Sequence, residues 1–260
     1  MPRFSANLTL MFADRPVLER VGAARAAGFP AVEIQDIYGL KLSDLAAATE
    51  RAGVEWALFN VPAGDMSAGG SGDAAVPGRE ADFRDGVDQA RRFAEVLRPR
   101  AVNVMAGFPP PAVKRSRAFS LLADNLRYAA DVMGEIGVKV LVEALNARDR
   151  PGFLLARSAD MEEAIDRAAH PNLGIQYDLY HMQIMEGDLV PTMERLLPRL
   201  GHIQFADTPG RAEPGTGEIN FPFVFDALDR MGYDGWVGAE YKPSRRTEDT
   251  LGWFAPWAAA

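Results

Sequence analysis

Four apolar runs in the sequence end on a side chain able to hold a cation or move a proton: Val140-Leu141-Val142-Glu143, Ile175-Gln176-Tyr177-Asp178, His202-Ile203-Gln204 and Val237-Gly238-Ala239-Glu240. An acid placed directly after a buried run is expensive unless it has a partner. Three carboxylates and an amide that converge would repel one another without a cation between them. A hard divalent ion such as Mg²⁺ or Mn²⁺ takes oxygen donors of this kind. The plainer alternative is that each acid pairs with an Arg or Lys at the rim. Other polar residues close similar runs: Asn7, Glu33, Asn60 and Asn103, with Asn146 a little beyond Glu143. Their side chains can bind substrate hydroxyls or satisfy loop backbone. His181, three residues after Asp178, is either a site residue or a loop hydrogen-bonder, whereas His202 reads as a lower layer of the fold and His170, before Pro171, as a helix end. Arg211 and Lys242 are candidates to receive an anionic substrate, or else are rim charges.

These residues need a scaffold that brings many strand ends together. Short β-branched runs lie at Ala6–Leu10, Ala31–Ile34, Val54–Val61, Ala101–Met105, Val138–Val142, Leu173–Tyr177, His202–Ala206 and Trp236–Ala239. Helical spacing fills most of the gaps: Pro16–Ala27, Ser43–Ala52, Phe83–Leu97, Ala118–Ile136, Met161–Ala169, Asp188–Leu200 (broken near Pro198) and Phe221–Met231. A weak repeat supports the alternation. Ala27-Gly28-Phe29, Ala52-Gly53-Val54, Ile136-Gly137-Val138 and Met231-Gly232-Tyr233 each end a helical pattern with glycine, the residue suited to the left-handed position past a helix end. Eight runs in 260 residues make one strand–helix step per ~32 residues. Pro/Gly-rich segments (Pro62–Gly78, Ala106–Pro111, Thr208–Thr216) follow strands, where the functional loops of a (β/α)8 TIM barrel belong. The expected fold is one such α/β barrel over residues 1–260. A doubly wound open sheet would need fewer strands and a glycine fingerprint after the first, which is missing.

Composition narrows the chemistry. With no cysteine, the chain has no disulfide framework, thiolate nucleophile or Cys-ligated metal. Three histidines leave carboxylates and amides as the main metal donors, and a net charge of −8 argues against nucleic-acid binding. No apolar stretch approaches the ~20 residues of a membrane span, and Met1–Phe12 does not read as an export signal, so a cytoplasmic protein is expected. Gly69-Gly70-Ser71-Gly72 lacks the Lys-Ser/Thr of a phosphate loop and reads as a flexible connection, while the closing Leu251–Trp257 is expected to pack on the last helix.

Several segments together resemble the hydroxypyruvate isomerase family, with its 2-oxo-tetronate isomerase branch, among the xylose isomerase-like barrels. They are Phe4-Ser5-Ala6-Asn7-Leu8, Asn103-Val104-Met105-Ala106-Gly107, Leu141-Val142-Glu143-Ala144-Leu145, Gln176-Tyr177-Asp178-Leu179-Tyr180-His181, Glu213-Pro214-Gly215-Thr216-Gly217-Glu218-Ile219-Asn220 and Gly235-Trp236-Val237-Gly238-Ala239-Glu240-Tyr241-Lys242-Pro243. The resemblance runs nearly end to end. It implies Glu143 and Glu240 as paired acid/base carboxylates, and Glu143, Asp178, Gln204 and Glu240 as a cage for Mg²⁺ or Mn²⁺. Related ketose 3-epimerases carry His where Gln204 stands, which leaves the identity of the metal and the dependence on it open. The implied reaction moves a carbonyl between adjacent carbons of a small 2-keto acid through an enediolate. Arg211, Lys242 or His181 would hold the substrate carboxylate, with Asn7 and Asn103 as further substrate contacts. Phe108 and Pro109-Pro110-Pro111 are expected to help set pocket size. A small anionic sugar acid is the expected partner, with neither nucleic acid nor a membrane, and a homo-oligomer is left open. A ketose 3-epimerase is the alternative activity. A multi-zinc endonuclease on the same barrel would need many more histidines.

Overall fold

The computed structural model describes residues 1–64 and 72–257; Gly69, Gly70 and Ser71 of the glycine-rich segment lie outside them. Eight parallel strands close on themselves in sequence order: β1 (Arg3–Asn7), β2 (Ala31–Ile34), β3 (Glu55–Asn60), β4 (Ala101–Val104), β5 (Lys139–Glu143), β6 (Leu173–Asp178), β7 (Leu200–Phe205) and β8 (Trp236–Ala239), with β8 returning to β1. Around them run α1 (Val17–Ala26), α2 (Leu42–Ala52), α3 (Glu80–Leu97), α4 (Arg115–Gly134), α5 (Ser158–Ala168), α6 (Leu179–Met185), α7 (Leu189–Leu196) and α8 (Phe221–Arg230). This is a (β/α)8 TIM barrel. The repeated glycines do what their place demands: Gly28, Gly53, Gly137 and Gly232 have φ of 98°, 63°, 73° and 71° just past α1, α2, α4 and α8.

Alternation along each strand separates two environments. On β1, Phe4 and Ala6 face the helices in the main apolar core, while Ser5 and Asn7 face the barrel axis and bond there to Glu33 of β2. The lower interior is filled by a smaller cluster that includes Ala31, Ala101, Leu141 and Trp236. Leu141 occupies space that exists because Gly174 and Gly201 carry no side chain. One step higher, Gly238 leaves room for the Glu33 carboxyl: a Cβ there would stand 2.6 Å from its Cδ.

Two local expectations shift. The first strand is Arg3–Asn7 rather than Ala6–Leu10, because the Asn7 side chain accepts the Thr9 N–H at 3.0 Å and turns the chain. Helix α6 was not anticipated; Asp178 starts it by accepting the Tyr180 N–H at 2.8 Å. The Asp188–Leu200 helix is α7, followed by a 3₁₀ turn containing Pro198. The closing segment forms a 3₁₀ helix over Thr247–Trp253, and Trp253 packs against Phe4, Phe205 and Phe225 of α8. Among the described residues, no helix is long and apolar enough to cross a membrane.

Candidate active site

The C-terminal ends of the strands open into a cavity of about 440 Å³. Glu143 at the end of β5 and Glu240 just past β8 line it together with Asn7, Gln204, His181 and Arg211. Asp178 at the end of β6 is buried beside them, with oxygen Oδ2 lying 3.5 Å from His181 Nε2 and 3.6 Å from Arg211. Glu240 is the most closely held acid. Its Oε1 accepts from Asn7 Nδ2 (2.9 Å) and Gln35 Nε2 (2.6 Å), and its Oε2 from Arg211 (2.6 Å). Burial pushes the Glu240 carboxyl up to about 7 even against Arg211, which pulls it down. Burial also raises Glu143 well above the usual range, and the negative charges of Glu240 and Asp178 add to it. Asp178 is raised for the same first reason, opposed by Arg211. Arg211 stays charged; desolvation works against that, but the surrounding acids outweigh it. The structure thus realises, for Glu240, the pairing of a strand-end acid with arginine.

Below this tier sits a fourth carboxylate, of the opposite character. Glu33 accepts from Ser5 Oγ (2.7 Å), Asn7 Nδ2 (3.1 Å), His202 Nε2 (2.8 Å) and Gln204 Nε2 (2.7 Å). Burial works to raise its pKa, but His202 and the hydrogen bonds from Gln204 and Ser5 prevail and hold it below the ordinary value. Gln204 is fixed at both ends, because its Oε1 accepts from Gln176 Nε2 at 2.5 Å. His202 therefore belongs to the lower layer, as its place in the sequence indicates.

His181 is buried, and its Nδ1 accepts the backbone N–H of Asn146 at 3.1 Å. Burial, reinforced by Arg211, lowers its pKa well below 6.5, so the ring is neutral and its proton sits on Nε2. Although Glu143, Asp178 and His181 have ligand atoms within 4.8 Å of one another, a protonated Nε2 makes His181 a donor toward the cavity rather than a metal ligand. The donor set that fits a hard cation is instead oxygen. Asp178 Oδ2 is buried without a hydrogen-bond partner, close to two other carboxylates whose protons a divalent ion would displace.

Not every expected contact is brought together. Asn103 does not line the cavity; its Nδ2 donates to Glu143 Oε2 (3.0 Å) and Asn60 Oδ1 (3.2 Å), so it orients the glutamate. The Lys242 side chain is exposed and lines a separate cleft with Asp14 and Arg246. Its backbone N–H donates to Arg211 O at 2.8 Å, which steadies the loop carrying that arginine. Asp207 organises the rest of the loop by accepting the N–H groups of Thr208, Gly215, Gly217 and Ile219 at 2.8–3.1 Å. His170, at the end of α5, meets Asp131 at 3.1 Å. Sequence reasoning did not single out Gln35, Asp149 and Arg150. Gln35 directly follows the apolar β2 run, the same signal that marked the other strand ends. Asp149 and Arg150 sit in the run Arg148-Asp149-Arg150, which looks like any solvated loop.

The barrel and its acidic crown define a class. The profile of the family described as xylose isomerase-like TIM barrel matches residues 21–257, and the chain belongs to that family. Within it, the chain is 42% identical over 257 residues to the 2-oxo-tetronate isomerase of Cupriavidus necator, covering 99% of each chain. It is equally 42% identical to the hydroxypyruvate isomerase of Escherichia coli, covering 99% of this chain and all of that one. A crystal structure from Brucella melitensis titled AP endonuclease, family 2, superposes with a TM-score of 0.96 at 42% identity over 99% of both chains. The protein is an enzyme of the isomerase class.

Proposed function

We propose that the enzyme isomerises small 2-keto hydroxy acids, interconverting hydroxypyruvate with tartronate semialdehyde or carrying out the equivalent step on a 2-oxo-tetronate. The carrying observation is the pair Glu143 and Glu240: both are buried, both are raised above the ordinary glutamate range, Glu240 to about 7, and both face one cavity with a fixed cation. A base held near pH 7 can remove a carbon-bound proton and exist protonated for its return. One of the pair takes a proton from C3 of hydroxypyruvate and leaves an enediolate. The same or the opposite glutamate returns a proton at C2, while the hydroxyl proton passes from O3 to O2. His181, with its Nε2–H aimed into the cavity, donates to a substrate oxygen that gains negative charge. Glu143, Asp178 and Glu240 would hold the divalent ion, joined by Gln204 once its Oε1 gives up Gln176. When bound, such an ion would supply Lewis acidity toward the carbonyl and adjacent hydroxyl oxygens and offset the negative charge that builds on them.

A nuclease on this barrel is disfavoured by the residues present. Of the three histidines, His170 lies at a helix end and His202 on Glu33, which leaves His181 alone in the cavity. A neutral ketose gives an arginine-bearing cavity nothing anionic to bind. The decisive experiment follows solvent deuterium into hydroxypyruvate by NMR with wild type, Glu143→Gln and Glu240→Gln, with and without Mn²⁺ after chelation. Each variant is expected to lose about 10²–10⁴-fold in turnover with its melting temperature retained. Near wild-type turnover in either variant overturns the assignment.

A further inference from the structure

Glu33 is buried, does not line the cavity and takes no part in the proton transfers described above. It nevertheless holds two amides that do line the cavity, Asn7 and Gln204. Which end of each amide faces it follows from their other partners. Asn7 Oδ1 accepts the backbone N–H of Thr9 at 3.0 Å, so the NH₂ of Asn7 is the end turned to Glu33. Ser5 Oγ at 2.7 Å and His202 Nε2 at 2.8 Å hold the other Glu33 oxygen, so the carboxylate is anchored as an acceptor. Gln204 reaches Oε1 at 2.7 Å and meets it with its NH₂ as well. The Gln204 carbonyl is thereby committed to the opposite side, where Gln176, another cavity-lining residue, donates Nε2 to it at 2.5 Å. The reverse orientation would offer the cavity an NH₂, which has no lone pair for a cation. Gln176 Oε1 is itself buried without a hydrogen-bond partner, so Gln176 is weakly held where it stands.

On the cation-assisted reading given above, we propose that Glu33 is a positioning residue for the cation site: it presets the Gln204 carbonyl toward the cavity, and Gln176 occupies that carbonyl until a divalent ion displaces it. Glu143, Asp178 and Glu240 supply the charge that attracts the ion. Glu33 acts from beneath, through the amide that completes the oxygen set.

The test is Mn²⁺ affinity, read by electron paramagnetic resonance on chelator-treated protein, for Glu33→Met, Gln204→Leu and the double variant, with thermal melts to confirm folding. Loss of the Glu33 charge weakens Mn²⁺ whether or not Gln204 is present, whereas loss of its positioning acts only through Gln204. Glu33→Met is therefore expected to weaken Mn²⁺ about 10–100-fold more in the wild-type background than in Gln204→Leu. Glu33→Gln can keep a carbonyl toward Asn7 and Gln204, so its effect should agree between the two backgrounds within about threefold. Gln176→Leu leaves Glu33 and its four donors in place and should bind Mn²⁺ roughly 3–10-fold more tightly, because the Gln204 carbonyl no longer has a donor to release. That variant decides the matter if Glu33→Met does not fold. The proposal is overturned if Glu33→Met weakens Mn²⁺ equally in both backgrounds, or if Glu33→Gln depends on Gln204 as strongly as Glu33→Met does. It is equally overturned if Gln204→Leu binds Mn²⁺ as wild type does, or if Gln176→Leu binds it no more tightly. If wild type itself binds no Mn²⁺, the cation-assisted reading fails and this one with it.

Discussion

Replacing Glu33 by glutamine isolates the lower carboxylate of the barrel. Each of its oxygens takes two donors: Asn7 and Gln204 on Oε1, Ser5 and His202 on Oε2, all at 2.7–3.1 Å. Glutamine has nearly the same shape but turns one oxygen into an NH₂. In the better orientation the NH₂ faces Ser5, whose hydroxyl can rotate to accept, and still opposes His202. One buried donor left unsatisfied costs about 1–3 kcal/mol, and the remaining bonds lose their charge assistance, so a total near 2–4 kcal/mol is expected. For a chain of this size that corresponds to a fall in Tm of roughly 5–15 °C at pH 7. The pH dependence gives an independent check. The folded Glu33 carboxyl lies below its ordinary value of 4.5, so between the two values the unfolded chain binds more protons and stability rises with pH. The contribution is complete above about 4.5 and is lost as pH falls through the folded value. The gap between wild type and Glu33→Gln in thermal melts should therefore be full at pH 7 and narrow below pH ~4. A loss under about 2 °C at pH 7, or a gap unchanged down to pH ~3, would refute the reasoning.

The upper tier predicts the reverse slope. In Arg211→Met, Glu240 and Asp178 lose the cation that lowers them, so their carboxyls rise further. A raised folded pKa penalises the ionised state, and the penalty grows as pH climbs from about 4.5 through the folded value. Urea unfolding should show the variant about 3 kcal/mol below wild type at pH 8 and converging with it near pH ~5. Parallel curves would rule out the pairing as the cause. Lys242→Ala, in contrast, should leave kcat and KM for hydroxypyruvate within about twofold, because the side chain lies in another cleft; a tenfold rise in KM would return that residue to the site.

The barrel is legible in the sequence because its period is mechanical. Each glycine past a helix end and each β-branched run after it states one strand–helix step, and the closed order β1 to β8 follows from eight of them. The boundary errors have local causes that hydrophobicity does not carry. Residues Leu8 and Leu10 extend the apolar run past Asn7, yet the Asn7 side chain ends the strand by bonding Thr9. Leu179–Met185 is too short for a helical period to stand out in the sequence, and what starts it as a helix is the Asp178 side chain accepting the Tyr180 N–H.

The candidate site is legible where chemistry coincides with a strand end and illegible where it depends on what lies across the barrel. Glu143, Asp178 and Glu240 announce themselves by following buried runs. The orientation of Gln204 does not, since it is fixed by Glu33, 171 residues away in the chain. Nor does the difference between Arg211 and Lys242, two cations near the same loops, of which only one has its side chain turned inward. The same limit explains why sequence cannot tell Glu33 from Glu143. Both are glutamates on barrel strands, and both are buried. Glu33 meets four donors, one of them an imidazole, and is held ionised; Glu143 takes Asn103 Nδ2, and its burial, reinforced by two other acids, pushes it toward the protonated form. With burial common to both, partners thus divide the interior into a lower carboxylate held below its ordinary value and an upper set pushed toward the protonated form. Asn7 joins the tiers by donating to both Glu33 and Glu240, and Gln204 joins them again by donating to Glu33 while lining the cavity, so a disturbance of the lower carboxylate should reach the upper ones through these two amides.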